Sequence, residues 1–142
     1  VLFKGDVADK EFCKSAIAET VKELGKLDVI VANAAEQHAV DAFEDISEEQ
    51  LKRTFQTNVF GYFFIIQAAI PHLNDNAAIV CTTSVTAYRG QDLLVDYSST
   101  KGAILALVRA LASKLAEKNI RVNGVAPGPI WTWPRCAPTD WR

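Results

Sequence analysis

Several features that mark specialised classes of protein are scarce or missing in this chain. No apolar run in its 142 residues approaches the ~20 needed to cross a bilayer, so no membrane partner is expected. The opening stretch VLFKGDVADKEF has no basic segment followed by an apolar run and a small-residue cleavage site, and does not read as a signal peptide. Basic residues are not in excess: the formal net charge is −2, which argues against nucleic acid or an anionic surface as partner. Histidine is limited to His38 and His72, too few for a metal centre, and none is expected. Cysteine is sparse and unpaired in pattern. Cys13, Cys81 and Cys136 are far apart and form no CxxC, which reads as buried or incidental thiols of a reducing, cytoplasmic compartment. What remains is a composition of 49% hydrophobic and 23% charged residues, that of a folded domain and not of a disordered chain.

The apolar pattern alternates between two periods. Val1–Phe3 is a short apolar segment expected as a strand. Residues 9–25 read as a helix, with Asp9 as N-cap, Cys13, Ile17, Val21 and Leu24 on one face, and Gly25 as its stop. LDVIVAN, residues 27–33, is a continuous apolar run that predicts a strand buried on both faces. A second helix is expected from Ser47, where SEEQ fits a capping box, to about Asp75. It turns Leu51, Phe55, Val59, Phe63 and Ile66 inward, and Pro71 marks a kink or boundary near its end. Residues 77–83, AAIVCTT, predict another strand, 95–118 a third helix, and 120–126, IRVNGVA, a fourth strand. Strands that alternate with helices make parallel βαβ units, so the predicted class is α/β, a doubly wound parallel sheet. In such sheets ligands bind beyond the carboxyl ends of the strands. Those exits here are GDVAD, NAAEQH, TTSVTAY and APGPIWT.

One exit leads into DYSSTKGA, where Tyr97 and Lys101 stand four residues apart on one helix face. An ammonium within about 4 Å of a phenol stabilises phenolate by about 4 kcal/mol at an effective dielectric of ~20. That is enough to bring a phenol from ~10 to near neutrality, where it transfers protons well. Ser84 ends the strand before that helix, Asn58 lies in NVFG on the preceding helix, and Asn33 leaves the preceding strand in ANAA.

In this order GDV, NAA, NxxG, TTS, YSSTK and RVNGVAPGPIWT resemble the short-chain dehydrogenase/reductase family over about residues 2–132. The wording is most similar to its glucose/ribitol dehydrogenase-like branch. The resemblance implies a Rossmann-like sheet and an oxidoreductase that moves a hydride between NAD or NADP and an alcohol or carbonyl substrate. It implies Tyr97 as general acid/base, Lys101 as its pKa-lowering neighbour and ribose contact, Ser84 as holder of the substrate oxygen, and Asn58 as anchor of a proton-relay water. Asp6 and Val7 would meet the adenine, and Asn33 and Ala34 would line the cofactor groove. Pro127, Gly128, Ile130 and Thr132 would pack along the nicotinamide end. Asp6 also reads as a loop or cap residue, Asn33 as an amide tying strand ends, and Gly128 as a plain tight turn. The parent protein would be a homodimer or homotetramer.

The family's Gly-rich phosphate turn, GxxxGxG, is absent from these residues. The chain therefore reads as a fragment holding the third to sixth strands of the family fold, with a partial dinucleotide-binding and catalytic domain at 1–130. Either a gap is expected beside LDVIVAN, or residues 1–5 collapse onto it. Residues 131–142, rich in Trp and Pro without period, are expected to be irregular: a non-native ending or a functional tail. An alternative reading of the whole is a non-catalytic α/β association module built on the second and third helices.

Overall fold

Asp9 starts the first helix by accepting the backbone N–H groups of Glu11 and Phe12 at 2.8 and 3.3 Å. Helix α1 (Lys10–Leu24) then runs to Gly25, whose φ of 80° and N–H bond to the Val21 carbonyl close it. The computed structural model describes residues 1–130. The expectations for Thr132 and for 131–142 lie outside the described residues. The chain continues through β1 (Leu27–Ala32), α2 (Glu48–Phe55), a π-helical turn (Gln56–Phe60), α3 (Gly61–Ala69) and β2 (Leu73–Thr82). It ends in α4 (Thr86–Arg89), α5 (Val95–Leu115) and β3 (Arg121–Val125).

The strands form one parallel sheet in the order β1-β2-β3, with Ile30, Ile79 and Val122 side by side in register. Helices α1, α3 and α5 all feed one core with Ile17, Tyr62, Ile66, Ile104 and Leu107, against Ile30, Ile79, Cys81 and Val122 of the sheet. That placement leaves the other sheet face open. Val29 and Val31, expected to be buried, are 57% and 64% exposed, because no described helix covers their side. The described residues are thus a helix layer on one face of a parallel sheet, part of the doubly wound arrangement.

Further expectations are corrected. Val1–Phe3 is not a strand: Val1 and Leu2 are exposed, and the chain turns through the Asp9–Asp6 backbone bond directly into α1. It does not collapse onto β1, whose outer edge has no partner strand among the described residues. The second helix is not continuous to Asp75. It passes through the π-helical turn, ends at Ala69 and a short 3-10 turn containing Pro71, and β2 begins at Leu73. Leu24, Leu51 and Phe63 are exposed; of these Phe63 follows the π-helical turn, whose break in helical period rotates it off the core stripe. The capping box is half made. Ser47 accepts the Gln50 N–H at 3.1 Å, but the Gln50 amide reaches Asp96 instead.

Candidate active site

The exit of β2, the π-helical turn and the first turns of α5 converge on four of the residues singled out above. Ser84 is buried, and its Oγ accepts from the Thr86 N–H at 3.1 Å and the Thr86 hydroxyl at 3.0 Å. With its lone pairs taken, its own hydrogen is directed elsewhere, and the hydrogen bond it makes to the Tyr97 phenol pulls that group's pKa down. Burial pushes the same phenol up more strongly, and the net direction is up. This corrects the expectation of a phenol lowered toward neutrality by lysine. The Lys101 ammonium donates to the Thr82 carbonyl at 2.8 Å and faces the ring of Tyr97, 5.5 Å from its centroid. Lys101 is 1% exposed, and desolvation lowers its pKa to about 8.

The π-helical turn carries Asn58 fully inside. Its Oδ1 accepts the Glu36 N–H, and its Nδ2 donates to the Glu36 carbonyl, both at 2.8 Å. The same Nδ2 donates to the Thr100 hydroxyl at 3.1 Å, and that hydroxyl donates to the Tyr97 carbonyl at 2.6 Å. Asn58 therefore joins the loop after β1 to the helix of Tyr97. A second tie is made by Asn33, whose Oδ1 accepts the Thr82 hydroxyl at 2.8 Å. The structure shows its amide in the strand-tying role.

Beside this cluster lies a cavity of about 1050 Å³ whose wall includes Asp6, Ala8, Ala34, Ala35, Glu36, Gln56 and Thr57. Asp6 also accepts the Ala8 N–H at 2.8 Å, so it shapes its own turn. Val7 packs on Gly61, where a Cβ would come within 3.1 Å of Val7 Cγ2 and would need the loop to give by a few tenths of an ångström. Ser84, Tyr97 and Lys101 do not line the cavity. Pro127 is joined to the β2 exit by its carbonyl, which accepts the Val85 N–H at 3.0 Å. Gly128 sits near the Val85 side chain, and Ile130 is exposed. Among the described residues no group of His, Cys, Asp and Glu could hold a metal ion, and no helix is long and apolar enough to cross a membrane.

Sequence reasoning missed several participants. Asp96 is buried, and its carboxylate accepts from Gln50 Nε2 at 3.1 Å, Thr54 Oγ1 at 2.8 Å and the Tyr97 N–H at 2.8 Å. The available signal was the pair Gln50 and Thr54, polar residues at i, i+4 on an inward helix face. Tyr62 gave no signal, because it sits in an apolar run, and neither did the Thr82 carbonyl.

A parallel sheet whose carboxyl ends carry a Ser-Tyr-Lys cluster beside an open cleft defines a Rossmann-like class of nucleotide-dependent enzyme folds. The comparisons narrow it. Residues 1–137 match the family model described as Enoyl-(Acyl carrier protein) reductase. An NADPH-dependent aldehyde reductase of Arabidopsis thaliana is 51% identical over 127 residues, 89% of this chain and 44% of that protein. A glucose and ribitol dehydrogenase of Daucus carota is 46% identical over 132 residues, 93% of this chain and 45% of that protein. The crystal structure of a short-chain dehydrogenase/reductase of the glucose/ribitol dehydrogenase kind from Brucella melitensis superposes with a TM-score of 0.85 at 34% identity, covering 89% of this chain and 53% of that one. The chain belongs to the short-chain dehydrogenase/reductase family, and it spans less than half the length of these curated relatives.

Proposed function

We propose that this segment, with residues 1–130 as part of a catalytic domain, serves an NAD- or NADP-dependent oxidoreductase acting on an alcohol or carbonyl substrate. The observation that carries the reading is the hydrogen-bonded Ser84–Tyr97 pair with the buried ammonium of Lys101 behind it. The residues present fit the adenosine half of a nicotinamide dinucleotide: the cleft is of ligand size, small at Ala34 and Ala35, and open to the Asp6 carboxylate. Bound there, the cofactor supplies or accepts the hydride. Asp6, Val7, Asn33 and Ala34 would hold it on one side, with Pro127, Gly128, Ile130 and Thr132 beyond.

The chain's own groups manage the proton. A phenol whose pKa is raised by burial stays protonated at neutral pH, so Tyr97 is set to donate its proton to a carbonyl oxygen as that oxygen gains charge. The Ser84 hydroxyl, oriented by Thr86, donates a hydrogen bond to the same oxygen and stabilises it. After transfer the tyrosinate is left beside the Lys101 ammonium, which favours the charged product. Asn58, tied to Glu36 and Thr100, holds the geometry and anchors the relay water that returns a proton. In the opposite direction the same groups accept the alcohol proton.

The test places this segment in a chain of its relatives' length. Tyr97→Phe keeps the ring and removes the proton, so kcat should fall by about 10²–10⁴-fold with stability little changed. Lys101→Arg keeps charge but changes donor geometry, and should impair both turnover and cofactor binding. Near-parental kcat in Tyr97→Phe ends the proposal. A second reading, an association module, is favoured by exposed Phe60 and Phe63 on the outer side of the helix layer. An oligomer that forms with no cofactor binding in that longer chain would select it.

A further inference from the structure

Tyr62 touches Lys101, yet the chemistry proposed above gives it no part. It belongs to α3, within the apolar run YFFII, and is buried. A leucine would fill such a core position without a polar atom to satisfy. Instead the Tyr62 hydroxyl donates to the Thr82 carbonyl at 3.1 Å, the same oxygen that accepts from Lys101 Nζ at 2.8 Å. A carbonyl has two lone pairs, and here two donors from different helices occupy it together. The Tyr62 ring also lies under the ammonium, 5.5 Å from centroid to Nζ, matching the distance to the Tyr97 ring.

A buried ammonium normally needs a counter-charge. No carboxylate contributes to the charge balance of Lys101. The titratable groups facing it are Tyr62 from α3, Cys81 from β2 and Tyr97 from its own helix. All three are neutral at neutral pH, since burial raises the pKa of each. What remains to stabilise the cation is one carbonyl and two aromatic faces.

We propose that Tyr62 is a positioning residue for Lys101: its ring holds the lysine ammonium on the Thr82 carbonyl, level with the ring of Tyr97, while its hydroxyl shares that carbonyl and sets how strongly it binds the lysine. The inference rests on Lys101 acting in the proposed reaction. Clamped in this way, the ammonium keeps two of its three hydrogens for a ribose hydroxyl and for the phenolate that forms on Tyr97. The hydroxyl of Tyr62 competes for the carbonyl and so limits how tightly the lysine is held there. The ring prevents it from swinging away.

Labelled-lysine NMR titration of the segment in a chain of its relatives' length tests this directly, with Lys101→Met assigning the signal. The parental lysine should titrate near the value the structure indicates, about 8. Tyr62→Phe leaves the ring and gives the carbonyl to Lys101 alone, so the midpoint should rise by about 0.5–1 pH unit. Tyr62→Leu removes one aromatic face, so its midpoint should fall below that of the Phe variant by a similar amount. The pH profile of kcat should move in the same sense, which a merely structural tyrosine would not cause. A folded Tyr62→Phe variant whose lysine midpoint and pH profile both stay parental overturns the inference, whatever the Leu variant does. If Tyr97→Phe retains turnover, the reaction reading fails on its own, and the lysine titration still decides the role of Tyr62.

Discussion

Lys101 is buried with only a carbonyl and two aromatic rings around its ammonium, and this desolvation makes stability depend on pH in a way most lysines do not. Its pKa falls from 10.5 to about 8 on folding. Below pH 8 both states carry the proton, and the fold bears the whole cost of burying it, on the order of 3 kcal/mol. Between 8 and 10.5 the unfolded chain holds a proton that the folded chain has released, so stability rises with pH. Cys81 opposes this. Its thiol rises from 9.0 to about 11, so the unfolded chain ionises first, and stability is lost as pH climbs through 9. Burial raises the Cys13 thiol as well, so urea denaturation should show a gain in stability from pH 8 to 9 that stops there and turns to a loss above it. Lys101→Met should abolish the gain, and a flat parental profile over that window would refute the assignment.

At the scale of elements, two contacts hold the helices in working positions. Asp96 binds α2 to the first turn of α5 through Gln50 and Thr54, and its other oxygen accepts the Tyr97 N–H. Thr54→Val removes one of three donors from a buried carboxylate, and should cost about 1–3 kcal/mol in thermal or urea unfolding. Because that carboxylate also orients Tyr97, kcat should drop while the KM for cofactor changes little. Gly61 does the converse. A methyl there would press on Val7 Cγ2 at 3.1 Å and the Val7 carbonyl at 3.2 Å, displacing the loop of Asp6 and Val7. Gly61→Ala should raise the KM for cofactor more than it lowers kcat, and steady-state kinetics that show the reverse would place the adenine contact elsewhere.

At the scale of the whole molecule, the described residues leave one face of the sheet and the outer edges of β1 and β3 uncovered. Val29, Val31 and Val125 are exposed on that face, and the outer edge of β1 offers unpaired backbone groups. The chain by itself should self-associate, visible as light scattering that rises with concentration. Val31→Lys should reduce the scattering without loss of helical circular dichroism. The segment also lacks a Gly-rich phosphate turn, the usual cradle for a pyrophosphate. Calorimetry on the 142-residue chain should show no submicromolar binding of NAD(H) or NADP(H), and tight binding would mean that the cleft at Asp6 and Ala34 suffices.

Period and punctuation in the sequence determined the parallel direction of β1, β2 and β3, the caps at Asp9 and Gly25, and the grouping of Ser84, Tyr97 and Lys101 near one strand exit. These are local consequences: alternation of strand and helix dictates parallel pairing, and helical spacing places Tyr97 and Lys101 on one face. The sequence alone could not tell that LDVIVAN would be buried on one face only, because burial depends on which helices arrive from elsewhere. Nor could it show the direction of the Tyr97 pKa. Spacing brings the ammonium near, but only the tertiary structure decides that it donates to the Thr82 carbonyl and faces the phenol's ring. The partners that settle this, Tyr62 and Thr82, come from a different helix and a backbone atom. No residue pattern along the chain encodes a meeting of that kind; it exists once α3 and α5 pack side by side on the sheet.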